Sequence, residues 1–222
     1  MVPFSFAGRD FALVSGNALF WPAENAIVLA DLHLEKASFF AAHGQFLPPY
    51  DSRETLERIA LALRESGARR VYCLGDSFHD GKGPARLEPH AAGMLAALVR
   101  IVDWVWITGN HDRAIAPEGA VLEELACAGI HLRHEAKPGE TAPELSGHYH
   151  PKLRLTVRGR RIARPCAVHS ERRMILPAFG ALAGGMDAAD PVILGALQPA
   201  SRIDAVLPAA GRLVHYPLWR AA

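Results

Sequence analysis

Three cysteines, Cys73, Cys127 and Cys166, are scattered through 222 residues with no CxxC spacing. That scarcity argues against a disulfide framework or a thiolate zinc cluster, and two of the three fall in apolar runs where buried thiols are expected. The first ten residues show neither the basic stretch nor the apolar core of a secretory signal. No apolar run reaches membrane-spanning length; the longest candidate, Met174 to Met186, is interrupted by Pro177 and by glycines. Repeats, low-complexity tracts and evident linkers are missing as well. These absences lead us to expect a cytoplasmic protein that makes no use of a membrane, with residues 1–222 forming one domain.

What the sequence does contain is ordinary globular composition, 50% hydrophobic and 21% charged. The net charge of +1 conceals one asymmetry. Lys152, Arg154, Arg158, Arg160, Arg161, Arg164, Arg172 and Arg173 face only Glu171 in their segment, a concentration that matters to a polyanion. Strand alternation sets Lys152, Arg154 and Arg158 against Leu153, Leu155 and Val157, with Arg158-Gly159 as a tight turn. An ordinary solvated sheet edge explains the same charges equally well. No aromatic interleaves them, so base stacking is not supported there.

The order of elements alternates first and is β-rich later. Short strands are expected around Phe4–Phe6, Phe11–Val14 and Ala18–Phe20, then a buried strand, Ala26–Ala30. A helix is expected over Leu34–His43 and a firmer one over Ser52–Ser66, with Asp51 and Glu54 in capping-box spacing and Gly67 as its stop. Val71–Leu74 and Val105–Thr108 read as strands, Glu88–Arg100 as a helix, and Pro117 with Gly129 bracket a third helix. Beyond Ile130 the pattern predicts strands, including Lys152–Val157, Arg161–His169, Met174–Leu176, Val192–Leu197, Ala205–Leu207 and Leu213–Tyr216.

Five polar motifs punctuate this pattern: Asp31-Leu32-His33, Gly75-Asp76, Gly109-Asn110-His111-Asp112, a histidine in Leu132-Arg133-His134, and Gly147-His148-Tyr149-His150. The clearest follow apolar strands, and polar residues at strand carboxyl ends converge at one edge of an α/β sheet. Carboxylate, imidazole and amide together suit hard or borderline divalent cations. The series resembles the calcineurin-like metallophosphoesterase superfamily over about residues 26–151. Ala30–Lys36, Leu74–His79, Gly109–Arg113, Ser146–Pro151 and Ile175–Gly180 extend the likeness to its branch of bacterial ligase-associated DNA damage response endonucleases. The resemblance implies a four-layer αββα sandwich, an α/β fold with two central mixed sheets.

It also implies roles. Asp31, His33, Asp76 and His150 would hold one metal, and Asp76, Asn110, His134 and His148 the second, with the Asp76 carboxylate bridging. His131 is the alternative to His134. His111 would stabilise the transition state and protonate the leaving oxygen, with Asp112 fixing its tautomer. Arg113 and His79 are candidate substrate contacts, as are Lys152, Arg154 and Arg158, though each also reads as an ordinary surface or loop residue. His43, His90, His169 and His215 lack partners at ligand spacing and read as surface or packed residues, and Trp104 and Trp106 as core.

The implied activity is phosphodiester hydrolysis in DNA, linked to repair, with DNA as substrate and a repair ligase, helicase or exonuclease as partner. Two divalent ions are implied, manganese first, with iron or zinc allowed. Small esters such as cyclic nucleotides are the competing substrates. A catalytically dead binding scaffold is disfavoured, because every ligand and the histidine of the third motif are present.

Overall fold

The computed structural model describes residues 1–14, 17–112 and 118–221. Two seven-stranded sheets face each other. The first runs β1 (Val2–Phe6), β2 (Arg9–Leu13), β3 (Leu19–Trp21), β4 (Ala26–Leu29), β5 (Arg70–Leu74), β6 (Asp103–Ile107), β7 (Ala120–Leu122), antiparallel as far as β4 and parallel from there. The second takes β8 (Glu124–Cys127), β9 (Ile130–Arg133) and β10 (Glu144–Ser146) at one end. It continues through β14 (Arg173–Ile175), β13 (Ala167–His169), β15 (Arg202–Ala209) and β16 (Arg212–Arg220). A separate hairpin pairs β11 (Lys152–Val157) with β12 (Arg160–Pro165).

Three buried cores separate four layers. Period-2 alternation splits the central strands: Ile27, Leu29, Val71 and Cys73 turn outward to α2 (Asp51–Ser66) and, beyond the one-turn α3 (Gly83–Arg86), to α4 (Pro89–Ile101), through Leu56, Ile59, Leu95 and Leu98. Ala26, Val28, Tyr72 and Leu74 turn inward to Leu132, Leu145 and Met174 of the second sheet. Its outer face packs Val168, Ile175 and Ile203 on Leu153 and on Ile193 of α5 (Pro191–Ala196). With both faces covered, β4 and β5 read as continuous apolar runs. Trp104 and Trp106 are core residues of the first layer, 3% and 1% exposed. Cys73 and Cys166 are buried, Cys127 is partly so, and all three thiols are free. No helix among the described residues is long and apolar enough to cross a membrane.

Three local expectations are corrected. The helix expected between Pro117 and Gly129 is instead β7 and β8, while Pro117 itself lies outside the described residues. Val121 and Leu122 extend the first sheet beside β6, and Leu125 and Cys127 extend the second beside β9, so pairing at two open edges overrides helix propensity. The strand expected at Val192–Leu197 is α5; Pro191 opens it and the Asp190 carboxylate accepts the Val192 N–H at 2.9 Å. Asp51 does not cap α2. Its carboxylate accepts the Ala37 N–H of α1 (Lys36–Ala42) at 3.0 Å, fastening α1 beside α2. Gly67 does end α2, left-handed with its N–H donated to Leu63.

Candidate metal centre

The motif residues sit where parallel strands end, in both sheets. From the first come Asp31 and His33 beyond β4, Asp76 beyond β5, and Asn110, His111 and Asp112 beyond β6. From the second come His134 beyond β9 and His148 and His150 beyond β10. Among the described residues three clusters of ligand-type atoms result; one, His33, His79 and His111, contains no carboxylate, and the other two each contain one. Asp31, His33 and His150 form the first, with His33 Nε2 and His150 Nε2 3.1 Å apart and His150 Nε2 3.5 Å from Asp31 Oδ1. Asp76, His134 and His148 form the second, where His148 Nδ1 lies 3.0 Å from His134 Nε2. Asn110 Oδ1 joins it, 2.9 Å from His134 Nε2 and 3.1 Å from His148 Nδ1. Asp76 stands between them: Oδ2 is 3.8 Å from His33 Nε2 and Oδ1 is 3.5 Å from His134 Nε2.

The donor chemistry fits divalent cations. Burial drives the His33 pKa down to about 2 and lowers that of His148, so both rings are neutral and keep lone pairs. His134 Nδ1 donates to the Leu74 carbonyl at 3.0 Å, which leaves the lone pair on Nε2, the atom that faces Asp76. Imidazole nitrogens aimed at each other cannot both accept, and a cation between them resolves the conflict. Glycines make the approach possible. A Cβ on Gly75 would lie 2.3 Å from His134 Nδ1, one on Gly109 2.3 Å from Asp76 Oδ1, and one on Gly147 2.6 Å from Asp31 Oδ2.

Backbone strain concentrates here too. Asp31, His33, Asp76, His148 and His150 all have positive φ, between 44° and 73°. Left-handed conformation is unfavourable for residues with a Cβ, and it persists because surrounding bonds over-determine it. The His33 N–H donates to Asp76 O, and the His148 N–H donates to both Asp31 oxygens, at 3.1 and 3.0 Å.

Asp112 has a different task from the expected one. Its carboxylate, 6% exposed, accepts N–H groups from Ser77, Phe78 and Gly109, clasping the second motif loop to the third. Burial raises its pKa to about 6 against those bonds. The partner of His111 is instead the His79 carbonyl, which accepts from Nδ1 at 2.6 Å. A main-chain acceptor that arrives from another loop leaves no mark in sequence.

The remaining candidates divide. His131 Nδ1 accepts from Arg133 Nη2 at 2.9 Å and belongs to none of the three clusters, so the structure brings in His134. The His79 ring stacks on His111 and on Phe40, with its pKa lowered to about 4 by burial and by Lys36. Arg113 lies outside the described residues. Lys152 lines a cavity with His150, and Lys152 and Arg154 donate to the carbonyls of Ala183 and Gly185, at 3.2 and 3.1 Å. Arg158 is not on the strand face with them: it forms the hairpin turn at φ 50°, about 20 Å along the strand. Arg173 also leaves the basic surface. It is fully buried, with Nε 3.4 Å from Glu144, which in turn accepts from Arg133 at 3.1 Å. This ionic set joins β9, β10 and β14, the supports of His134 and His148. Sequence reasoning missed it because its members are distant along the chain.

The calcineurin-like phosphoesterase family model matches residues 25–158, which include every residue of all three clusters. The chain belongs to the calcineurin-like phosphoesterase family. Members of this family use a binuclear metal centre and hydrolyse phosphoester bonds, in keeping with the two carboxylate-bearing clusters. The solved nuclease MPE of Pseudomonas putida is similar at 30% identity, covering 96% of this chain and 98% of that one with a TM-score of 0.72. A conserved protein of Streptococcus pneumoniae, described as a predicted phosphoesterase, aligns at 14% identity over 86% of this chain and 96% of that one, with a TM-score of 0.34. No curated protein matches by sequence.

Proposed function

We propose that this member of the family is a two-metal phosphodiesterase that cuts DNA, in the manner of the repair-associated endonucleases, with manganese as its working ion. The observation that carries the phosphodiesterase reading is Asp76, whose two oxygens face separate groups of imidazole nitrogens. Asp31, His33, Asp76 and His150 would hold one ion, and Asp76, Asn110, His134 and His148 the other. Such ions polarise a phosphoryl oxygen and lower the pKa of a bound water. His111 then acts on the leaving oxygen. Its Nδ1 proton is held by the His79 carbonyl, so Nε2, 3.9 Å from Asp76 Oδ2, is the atom that exchanges a proton. DNA as substrate is supported by the likeness to a nuclease along nearly the whole chain.

One observation favours small esters instead: Lys152 and Arg154 spend hydrogen bonds on the loop at 183–185, and Arg158 stands away from the centre. A metal-reconstituted panel of circular DNA, single-stranded DNA, cyclic nucleotides and a chromogenic diester separates the readings. We expect cleavage of DNA and of the chromogenic diester, greatest with manganese. In the same panel His111→Ala should cost about 10²–10⁴-fold, most where the leaving group is poor. Turnover of cyclic nucleotides with intact DNA would overturn the DNA assignment.

A further inference from the structure

Two cavities meet beside the first ligand group. One, of about 120 Å³, is lined by His150, Lys152, Arg58, Asn17 and Pro165 among others. The other, of about 460 Å³, shares Asn17 and Pro165 as walls and continues past Arg164 to the end of β15 at Pro208 and Ala209. Lys152 and Pro165 are paired where the β11–β12 hairpin begins and ends. The two cavities thus form a trough that starts at a ligand histidine and runs out past the base of that hairpin.

Three cations line the trough, Arg58, Lys152 and Arg164, and among the described residues no aspartate or glutamate does. The whole chain balances 24 lysines and arginines against 23 acids, so a concave run of one sign departs from its average surface. Such clefts concentrate potential and draw ions of the opposite charge. Two of the cations are held in place. Arg58, partly buried on α2, carries its guanidinium carbon 5.1 Å from the centre of the Phe179 ring. Lys152 Nζ donates to the Ala183 carbonyl at 3.2 Å, which leaves the ammonium two further donors. A Cβ on Gly185 would lie 2.8 Å from Lys152 Cδ and Cε, so the glycine gives this side chain its room. The wall beside them is fastened too, because the Ala181 N–H donates to Thr55 Oγ1 of α2 at 3.0 Å. Glu54, one turn before Arg58, is exposed and lines neither cavity.

We propose that this trough holds the backbone of a nucleotide chain as it leaves the reacting centre. Arg58 and Lys152 meet the first phosphate beyond the scissile one, and Arg164 meets a later one. The inference rests on the phosphodiesterase reading and adds the path of the strand, which passes His150 and not the side of His148 and Glu135. Binding of a labelled single-stranded oligothymidylate is to be followed against salt by fluorescence anisotropy. Metal-loaded His111→Ala protein serves as the background, where turnover is slow. Adding Arg58→Gln or Arg164→Gln should each lower the log–log salt slope by about 0.7, the value of one single-strand phosphate contact, with metal content unchanged. Arg58→Lys should keep the slope. Arg100→Gln, on the exposed end of α4 and in neither cavity, should keep it as well.

An unchanged slope in Arg58→Gln and Arg164→Gln, or an equal fall in Arg100→Gln, overturns the trough. Arg164 is exposed, so its variant judges the trough even where Arg58→Gln fails to fold. Failure of the parent protein to cleave either DNA or a chromogenic diester with any divalent ion would instead sink the phosphodiesterase reading. The salt slope is read without turnover and judges the trough in either case.

Discussion

The two ligand groups share Asp76 and face opposite surroundings. The side chains of Asp31, His33 and His150 are 0%, 4% and 15% exposed, and their flank carries Lys36, Lys152 and Arg58. In the second group the His148 side chain is 31% exposed, and the Glu135 carboxylate lies 4.0 Å from its Nε2. Glu135 also accepts from the Tyr149 hydroxyl at 3.2 Å, which keeps the acid on that side. Similar ligands therefore sit in fields of opposite sign. An anionic chain is drawn to the first side and repelled from the second, so the centre has a direction.

Asp76→Asn should have the largest effect, because it erases the comparison by weakening both sides at once. Metal analysis should show both ions lost, with affinity falling by more than the roughly 10–100-fold typical of outer-shell changes. Two tightly held ions and unchanged turnover in that variant would remove Asp76 from its place between the groups.

Glycine substitutions should sharpen the comparison by damaging one side each. Gly75→Ala drives a Cβ into His134 at a left-handed φ of 80°, and Gly147→Ala drives one into Asp31. Each variant should retain about one equivalent of metal, with the loss on the second side for Gly75 and on the first for Gly147. Identical metal spectra from the two would mean that the groups do not load separately.

The smallest effect concerns pH in the metal-free protein. His33 holds a pKa of about 2 when folded, against about 6.5 in the unfolded chain. Between those values the unfolded state binds the extra proton, so stability rises with pH and is lost as pH falls below about 6.5. The slope from this one ring is up to about 1.4 kcal/mol per pH unit. Thermal melts of His33→Gln should be flatter over that window, and an equal slope in both proteins would place the dependence elsewhere.

The motif strands were legible because β4 and β5 are buried on both faces and write continuous apolar runs, each closed by a polar group. The ligand types were legible for the same reason: they stand at strand ends, where the local pattern breaks. Residues 120–127 were not, since their Ala, Leu and Glu suit a helix and only the open edges beside β6 and β9 make them strands. The roles of Asp112, of the His79 carbonyl and of the buried Arg133–Glu144–Arg173 set depend on contacts between distant segments. No spacing rule reports such contacts.

The left-handed backbone at Asp31, His33, Asp76, His148 and His150 also restricts which amino acids these positions can accept, before any chemistry is considered. Asparagine, aspartate, histidine and glycine tolerate that conformation, whereas valine, isoleucine and threonine clash with their own main chain. A drifting sequence that abandoned catalysis would still be confined to a short alphabet here, rich in residues that bind metals. Near-neutral steps away from the ligand set are few, and steps back to it are short. The local geometry thus works as a ratchet, biasing even an idle copy of this loop system toward recovering a metal site.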